Sequence, residues 1–229
     1  VKTALVVGAS AGIGDAIARR LVEAGWTVIG TARRESAIAH ASYRHVIADV
    51  RAAEFRDVLA KTIDGAEIDL CIYAAGIGEP LDVAKPVHEV DVIATNLVGL
   101  AATVEVVLPR MAARKSGHII GLSSQADRLI DEFAPSYAAS KAGMSSYLEG
   151  LALACRKHGV AVTNLRLGFV DTAMSRYAET RPFMMTADRA AQVIERCIKR
   201  RPIRKTAPLR MAFLLWFFGL PRRIRVWFS

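Results

Sequence analysis

Near its start the chain runs Gly8-Ala9-Ser10-Ala11-Gly12-Ile13-Gly14, directly after an apolar stretch over residues 3–7 and directly before a helical pattern over residues 15–24. A strand that ends in a glycine turn and feeds a helix N-terminus presents backbone N–H groups and the positive end of a helix dipole to an anion. A pyrophosphate is the usual occupant of such a turn in α/β folds. The spacing here is Gly-x-x-x-Gly-x-Gly, not the more familiar Gly-x-Gly-x-x-Gly. Taken alone, it fits a dinucleotide site or an ordinary tight turn.

The remaining pattern restricts the choice. Short apolar runs at residues 26–31, 44–48, 69–73, 117–122 and 160–167 alternate with helical periodicity at 52–62, 87–113 and 135–157. Alternating strands and helices predict an α/β fold with a doubly wound parallel sheet, in a single domain over residues 1–200. No internal repeat or low-complexity linker divides it, and 229 residues suffice for one substantial core.

The strongest chemical signal is the pair Tyr137 and Lys141. Pro135 suits the first turn of a helix, which would put Tyr137 and Lys141 one turn apart on the same face. A neighbouring ammonium favours the phenolate, so this spacing predicts a lowered tyrosine pKa and an acid/base role. An isolated Tyr-x-x-x-Lys is more often a solvated pair. With the glycine turn, and with Ser124 thirteen residues before Tyr137, the chain resembles the short-chain dehydrogenase/reductase family over about residues 3 to 200.

That resemblance implies a Rossmann-like fold, an oxidoreductase activity and a set of site residues. The catalytic set would be Asn96, Ser124, Tyr137 and Lys141, with Ser123 the less suitable serine by register. Gly8, Ser10, Gly12, Ile13 and Gly14 would hold the cofactor pyrophosphate, Asp49 and Val50 its adenine, and Ala75 and Gly76 the turn beneath it. Val170 and Thr172 match positions beside the nicotinamide, and Tyr137 and Lys141 also reach the cofactor. Arg33 and Arg34 follow the second strand where an acidic residue would select a 2′-hydroxyl, so NADP(H) is expected over NAD(H). Three positions depart from the family's habit. Val7 stands for threonine, Tyr73-Ala74 for Asn-Asn, and Leu167 for the proline of a Pro-Gly pair.

The expected reaction is reduction of a ketone or aldehyde, or its reverse on an alcohol. Met174, Tyr177, Phe183, Met184 and Met185 fall where relatives place a substrate lid and suggest a lipophilic substrate. The competing readings are a dinucleotide-binding scaffold, which would not require all four catalytic residues, and an epimerase or dehydratase on the same site. The two long helices suggest a homo-oligomer, as in relatives.

Charge is unevenly placed. Ten of the 31 Lys and Arg fall from Arg196 onward, where there is no Asp or Glu, so the body is near neutral and the tail over residues 201–229 is basic. No nucleic-acid reading helix or ribbon carries the excess. The run 211–220, MAFLLWFFGL, is too short to span a bilayer. With Trp216, Trp227 and flanking arginines it suits either peripheral membrane contact or packing over the substrate cleft. Cys71, Cys155 and Cys197 form neither a disulfide framework nor a zinc pattern, so no metal is expected. With no signal-peptide pattern at the start, a cytoplasmic protein is expected.

Overall fold

The alternation along each strand becomes two packed faces of one sheet. A computed structural model describes residues 1–175 and 181–213. Its strands are β1 (Thr3–Val7), β2 (Thr27–Ala32), β3 (Tyr43–Ile47), β4 (Ile68–Tyr73), β5 (Gly117–Ser124), β6 (Val160–Leu167) and β7 (Arg204–Ala207). They pair in parallel in the order β3-β2-β1-β4-β5-β6-β7. The chain winds outward from β1 through β2 and β3, then returns to place β4 on the other side of β1. That reversal opens a crevice at the carboxyl ends of β1 and β4, where such sheets take their ligands.

Because successive side chains in a strand point to opposite faces, Ala4 and Val6 pack on one side with Leu165 and Leu167, while Leu5 and Val7 pack on the other with Val160 and Val162. The first side is covered by α1 (Gly12–Glu23) and α6 (Ala187–Arg200), through Ile17, Leu21, Ala190 and Ile194. The second is covered by α2 (Phe55–Thr62), α4 (Gly99–Ala113) and α5 (Pro135–Cys155), through Leu59, Val104 and Leu148. Each fully buried leucine or isoleucine contributes about 1.5–3 kcal/mol. The exposed Arg20–Asp188 ion pair between α1 and α6 therefore adds little to their packing.

The long helical pattern at 87–113 resolves into α3 (Glu89–Ile93), a π-turn (Ala94–Val98) and α4. The wider turn disturbs the helical hydrogen-bond ladder at the place where Asn96 sits. Tyr73 compensates. Its buried hydroxyl donates to the Thr95 carbonyl at 2.5 Å and lies against Gly99. Here the tyrosine that replaces the family's asparagine is itself the brace.

Two features were not anticipated. Residues 187–200 form α6, capped by the Thr186 side chain accepting from the Arg189 N–H and ended by Arg201 in a left-handed conformation. Beyond residue 200, Arg204–Ala207 extends the same sheet as β7. The tail beyond the sheet therefore begins after Ala207, and Trp216, Trp227 and most of the apolar run lie outside the described residues. The departure at Leu167 is explained by the same strand. The Gly168 N–H donates to the Ala207 carbonyl at 2.9 Å, so β7 holds the turn that a proline ring would otherwise stiffen.

Candidate active site

The glycine turn is built for close approach. Gly8 has φ +92° and Gly12 has φ +58°, both in the region that side chains avoid. A Cβ on Gly8 would sit 2.7 Å from the Ala75 Cα, and one on Gly14 would run into the Gly8 carbonyl. The strand ends are thus held together by backbone contact, with the Gly8 N–H donating to the Thr31 carbonyl at 2.7 Å. Helix α1 begins at Gly12, after Ala11 as an N-cap residue without a capping side chain, leaving its first N–H groups to another acceptor. Ser10 and Ile13 are half-buried at this rim, and the buried Thr31 hydroxyl has no hydrogen-bond partner among the described residues. An uncapped helix start, a turn built on three glycines and an orphaned hydroxyl fit a dinucleotide.

At the ends of β2 and β3, Arg33 and Arg34 are exposed. Their loop is tied to the neighbouring strand, since the His45 ring contacts the Arg34 carbonyl at 2.9 Å and the Tyr43 hydroxyl at 2.8 Å. Asp49 is bound by Arg51, which also reaches Asp91 at 2.9 Å. The Arg51 hydrogen bonds hold the Asp49 carboxyl below its ordinary pKa, against a smaller opposing effect of burial. Val50 packs against Gly99 at the start of α4. Both expected adenine-side residues therefore lie at the carboxyl edge of the sheet, with the aspartate already engaged by an arginine.

The four residues of the expected catalytic set converge beside the crevice. Lys141 is 5% exposed, its Nζ donates to the Leu122 carbonyl at 2.9 Å, and it lies 5.7 Å from the centre of the Tyr137 ring. Asn96 is fully buried. Its amide donates to the Ile77 carbonyl and the Ser140 hydroxyl, and its oxygen accepts from the Ile77 N–H, each at 2.9 Å. Gly76 fits between them, because a Cβ there would stand 3.2 Å from the Asn96 oxygen and 3.6 Å from the Lys141 ammonium. Ser124 ends β5, accepts from the Ala126 N–H at 3.1 Å and interacts with the Tyr137 phenol.

The electrostatics correct one expectation. The adjacent lysine was expected to lower the Tyr137 pKa, yet burial dominates and raises it, with Ser124 acting in the lowering direction. Burial likewise pulls Lys141 down to about 8. In the protein alone, the site disfavours charge on both groups.

Across the crevice, the Thr172 methyl lies 3.1 Å from where a Gly12 Cβ would be, and Val170 is buried and bridged to Met185. Thr172 and the glycine turn therefore face one another. The apolar residues of the expected lid divide. Met174 reaches within 3.7 Å of the Gly76 Cβ position, Met185 packs on the core, Phe183 and Met184 are exposed, and Tyr177 lies outside the described residues. Sequence reasoning missed Asp127 and Arg166, a buried ion pair between the turn that follows Ser124 and strand β6. A charged residue within the apolar strand VTNLRL was the available signal.

The strand order, the glycine turn and the crevice define a dinucleotide-binding α/β protein. Residues 2–182 match the family model described as short chain dehydrogenase. An uncharacterized oxidoreductase of Myxococcus xanthus is 32% identical, with 98% of each chain covered. The 3-oxoacyl-acyl-carrier-protein reductase of Vibrio harveyi is 35% identical over 76% of each chain. Among solved structures, a short-chain dehydrogenase from Streptomyces avermitilis superposes with a TM-score of 0.84 at 25% identity, covering 99% of this chain and 94% of its own. The chain belongs to the short-chain dehydrogenase family and is an oxidoreductase of that type.

Proposed function

We propose that the protein is an NADP(H)-dependent carbonyl reductase, working in reverse as an alcohol dehydrogenase, with Tyr137 as its acid/base. The observation that carries this reading is the convergence of Ser124, Tyr137 and buried Lys141 on one side of a crevice whose other wall is the glycine turn. When bound, the nicotinamide supplies the hydride. The Ser124 hydroxyl orients the substrate oxygen, and Tyr137 gives that oxygen a proton. Lys141 places its ammonium next to the phenol, steadying the phenolate left after proton transfer. Asn96 locks the backbone at Ile77 beside the lysine, and by the family resemblance it would maintain the path by which protons return.

Arg33 and Arg34 support the phosphate-bearing cofactor, since they are exposed at the ribose end of the crevice. Replacing both with alanine should weaken NADPH binding at least tenfold and leave NADH binding within twofold, read by fluorescence titration. Equal losses for both cofactors would remove the preference. A lipophilic substrate is supported by Met174 beside Gly76 and by exposed Phe183 and Met184. The test of the whole reading is NADPH oxidation against aldehydes and ketones of increasing chain length, with NADH in parallel. The reading expects turnover with NADPH that improves with chain length. Tight cofactor binding without turnover across the panel would favour a scaffold.

The start of the tail supports packing near the substrate side over membrane contact. The Gln125 amide donates to the Pro208 carbonyl at 3.0 Å, and Met211 is buried against Gly168. Val98 of the π-turn and Leu153 of α5 stay exposed, which supports a homo-oligomer through these two positions. Sedimentation equilibrium should show at least a dimer, and a monomer at micromolar concentration would remove the idea.

A further inference from the structure

The catalytic region has a buried polar layer behind it that the reaction scheme does not use. Asp127 lies in the 3-10 turn Gln125–Arg128 that follows Ser124, and Arg166 lies on β6. Their side chains are 5% and 7% exposed and pair through two hydrogen bonds, from Nε and Nη2 of the arginine to the two carboxylate oxygens. Ser145 of α5 donates to the same carboxylate at 2.6 Å, and the remaining arginine nitrogen reaches the Thr206 hydroxyl of β7 at 3.2 Å. Ser123 donates to Asn164, which donates in turn to Glu149, itself bound by Arg204. Each serine has one proton. With Ser145 donating to Asp127 and Ser123 to Asn164, the 3.2 Å approach of Ser145 to Ser123 is a contact without a proton of its own.

This layer has a direct line to Ser124. The Ala126 N–H that Ser124 accepts belongs to the turn that Asp127 anchors. With an N–H fixed on one face of its oxygen, the serine hydroxyl is constrained to aim its proton away from that amide, and the phenol of Tyr137 stands nearby. A bidentate arginine clamp at a buried site fixes orientation as well as charge.

We propose that Asp127, held by Arg166 and Ser145, is a positioning residue that fixes the Ala126 amide and through it the direction of the Ser124 hydroxyl toward Tyr137 and the substrate oxygen. This proposal rests on the reductase reading for its effect on turnover, but its structural part does not. Small displacements of a catalytic group lower rates strongly, so Asp127→Asn should reduce kcat about tenfold with the KM for NADPH unchanged. In a Ser124→Ala background the same substitution should add less than a further twofold loss. Ser145→Ala removes one donor and leaves the buried Asp127–Arg166 charges paired, so it serves if Asp127→Asn does not fold.

The deciding measurement is the Cζ resonance of Tyr137 in cofactor-free protein carrying 13C-labelled tyrosine, assigned among the five tyrosines by Tyr137→Phe. Asp127→Asn and Ser145→Ala should shift it in the same direction as Ser124→Ala, and neither should shift it further once Ser124 is gone. An unchanged resonance in the folded variants, or an equal shift with and without Ser124, overturns the proposal. If the wild-type protein reduces no carbonyl in the panel, the reductase reading fails and the resonance alone decides the positioning role.

Discussion

Tyr137→Phe should lower kcat by about 10²–10⁴ while leaving the affinity for NADPH within twofold. General acid/base groups contribute rate factors of that order. The substitution removes one oxygen from a ring that Lys141 flanks at 5.7 Å, so packing around the crevice should survive. Because burial raises the phenol's pKa in the protein alone, Tyr137 is held protonated, which suits the reductive direction. Steady-state kinetics alongside fluorescence titration separates the two effects. A phenylalanine variant that keeps its turnover would remove tyrosine from the chemistry.

Lys141→Met should inactivate the protein and make it more stable. Among the described residues the lysine's buried ammonium has one carbonyl and a thioether as hydrogen-bonding partners, and burial pulls its pKa from an ordinary 10.5 to about 8. The corresponding penalty on the folded state is roughly 3 kcal/mol at 1.36 kcal/mol per unit. Leaving the Leu122 carbonyl without its donor takes back about 1 kcal/mol. A gain of about 2 kcal/mol, or some 4–8 °C in Tm for a chain of this size, is expected at pH 7. Its sign with pH follows from linkage. Below pH 8 both folded and unfolded lysines are protonated, and the folded state carries the whole penalty. Between about 8 and 10.5 the folded lysine loses its proton first, so wild-type stability rises and the advantage of methionine fades. Thermal melts from pH 6 to 10 read this directly. A methionine variant less stable than wild type at pH 7 would show that the ammonium is stabilising where it sits.

Much of the fold was legible because its signals are local. The glycine turn required positive φ, and alternating apolar runs divided the strands into two buried faces. The convergence of Ser124, Tyr137 and Lys141 could be read because the tyrosine and lysine share one helix and the serine ends the strand before it. What could not be read depends on contacts between distant residues. Strand β7 is the four residues RKTA, without an apolar run, and its place is set by pairing with β6. The π-turn at Asn96 depends on Tyr73 reaching Thr95 across 22 positions. Asp127 and Arg166 lie 39 positions apart and look, in sequence, like a surface loop acid and a stray strand arginine. The rise in the Tyr137 pKa was equally hidden, since residue spacing shows the neighbouring cation and not the depth of burial.

The most direct test of the account is transfer of deuterium from NADPH carrying deuterium at both C4 positions of the nicotinamide to the best carbonyl substrate of the chain-length panel, with the product analysed by mass spectrometry. The account predicts one deuterium at the carbinol carbon for each NADPH consumed, and labelled product formed about 10²–10⁴ times more slowly when Tyr137→Phe replaces the wild type. Product without label, or a panel that leaves NADPH untouched while the protein binds it tightly, would contradict a reductase centred on Tyr137.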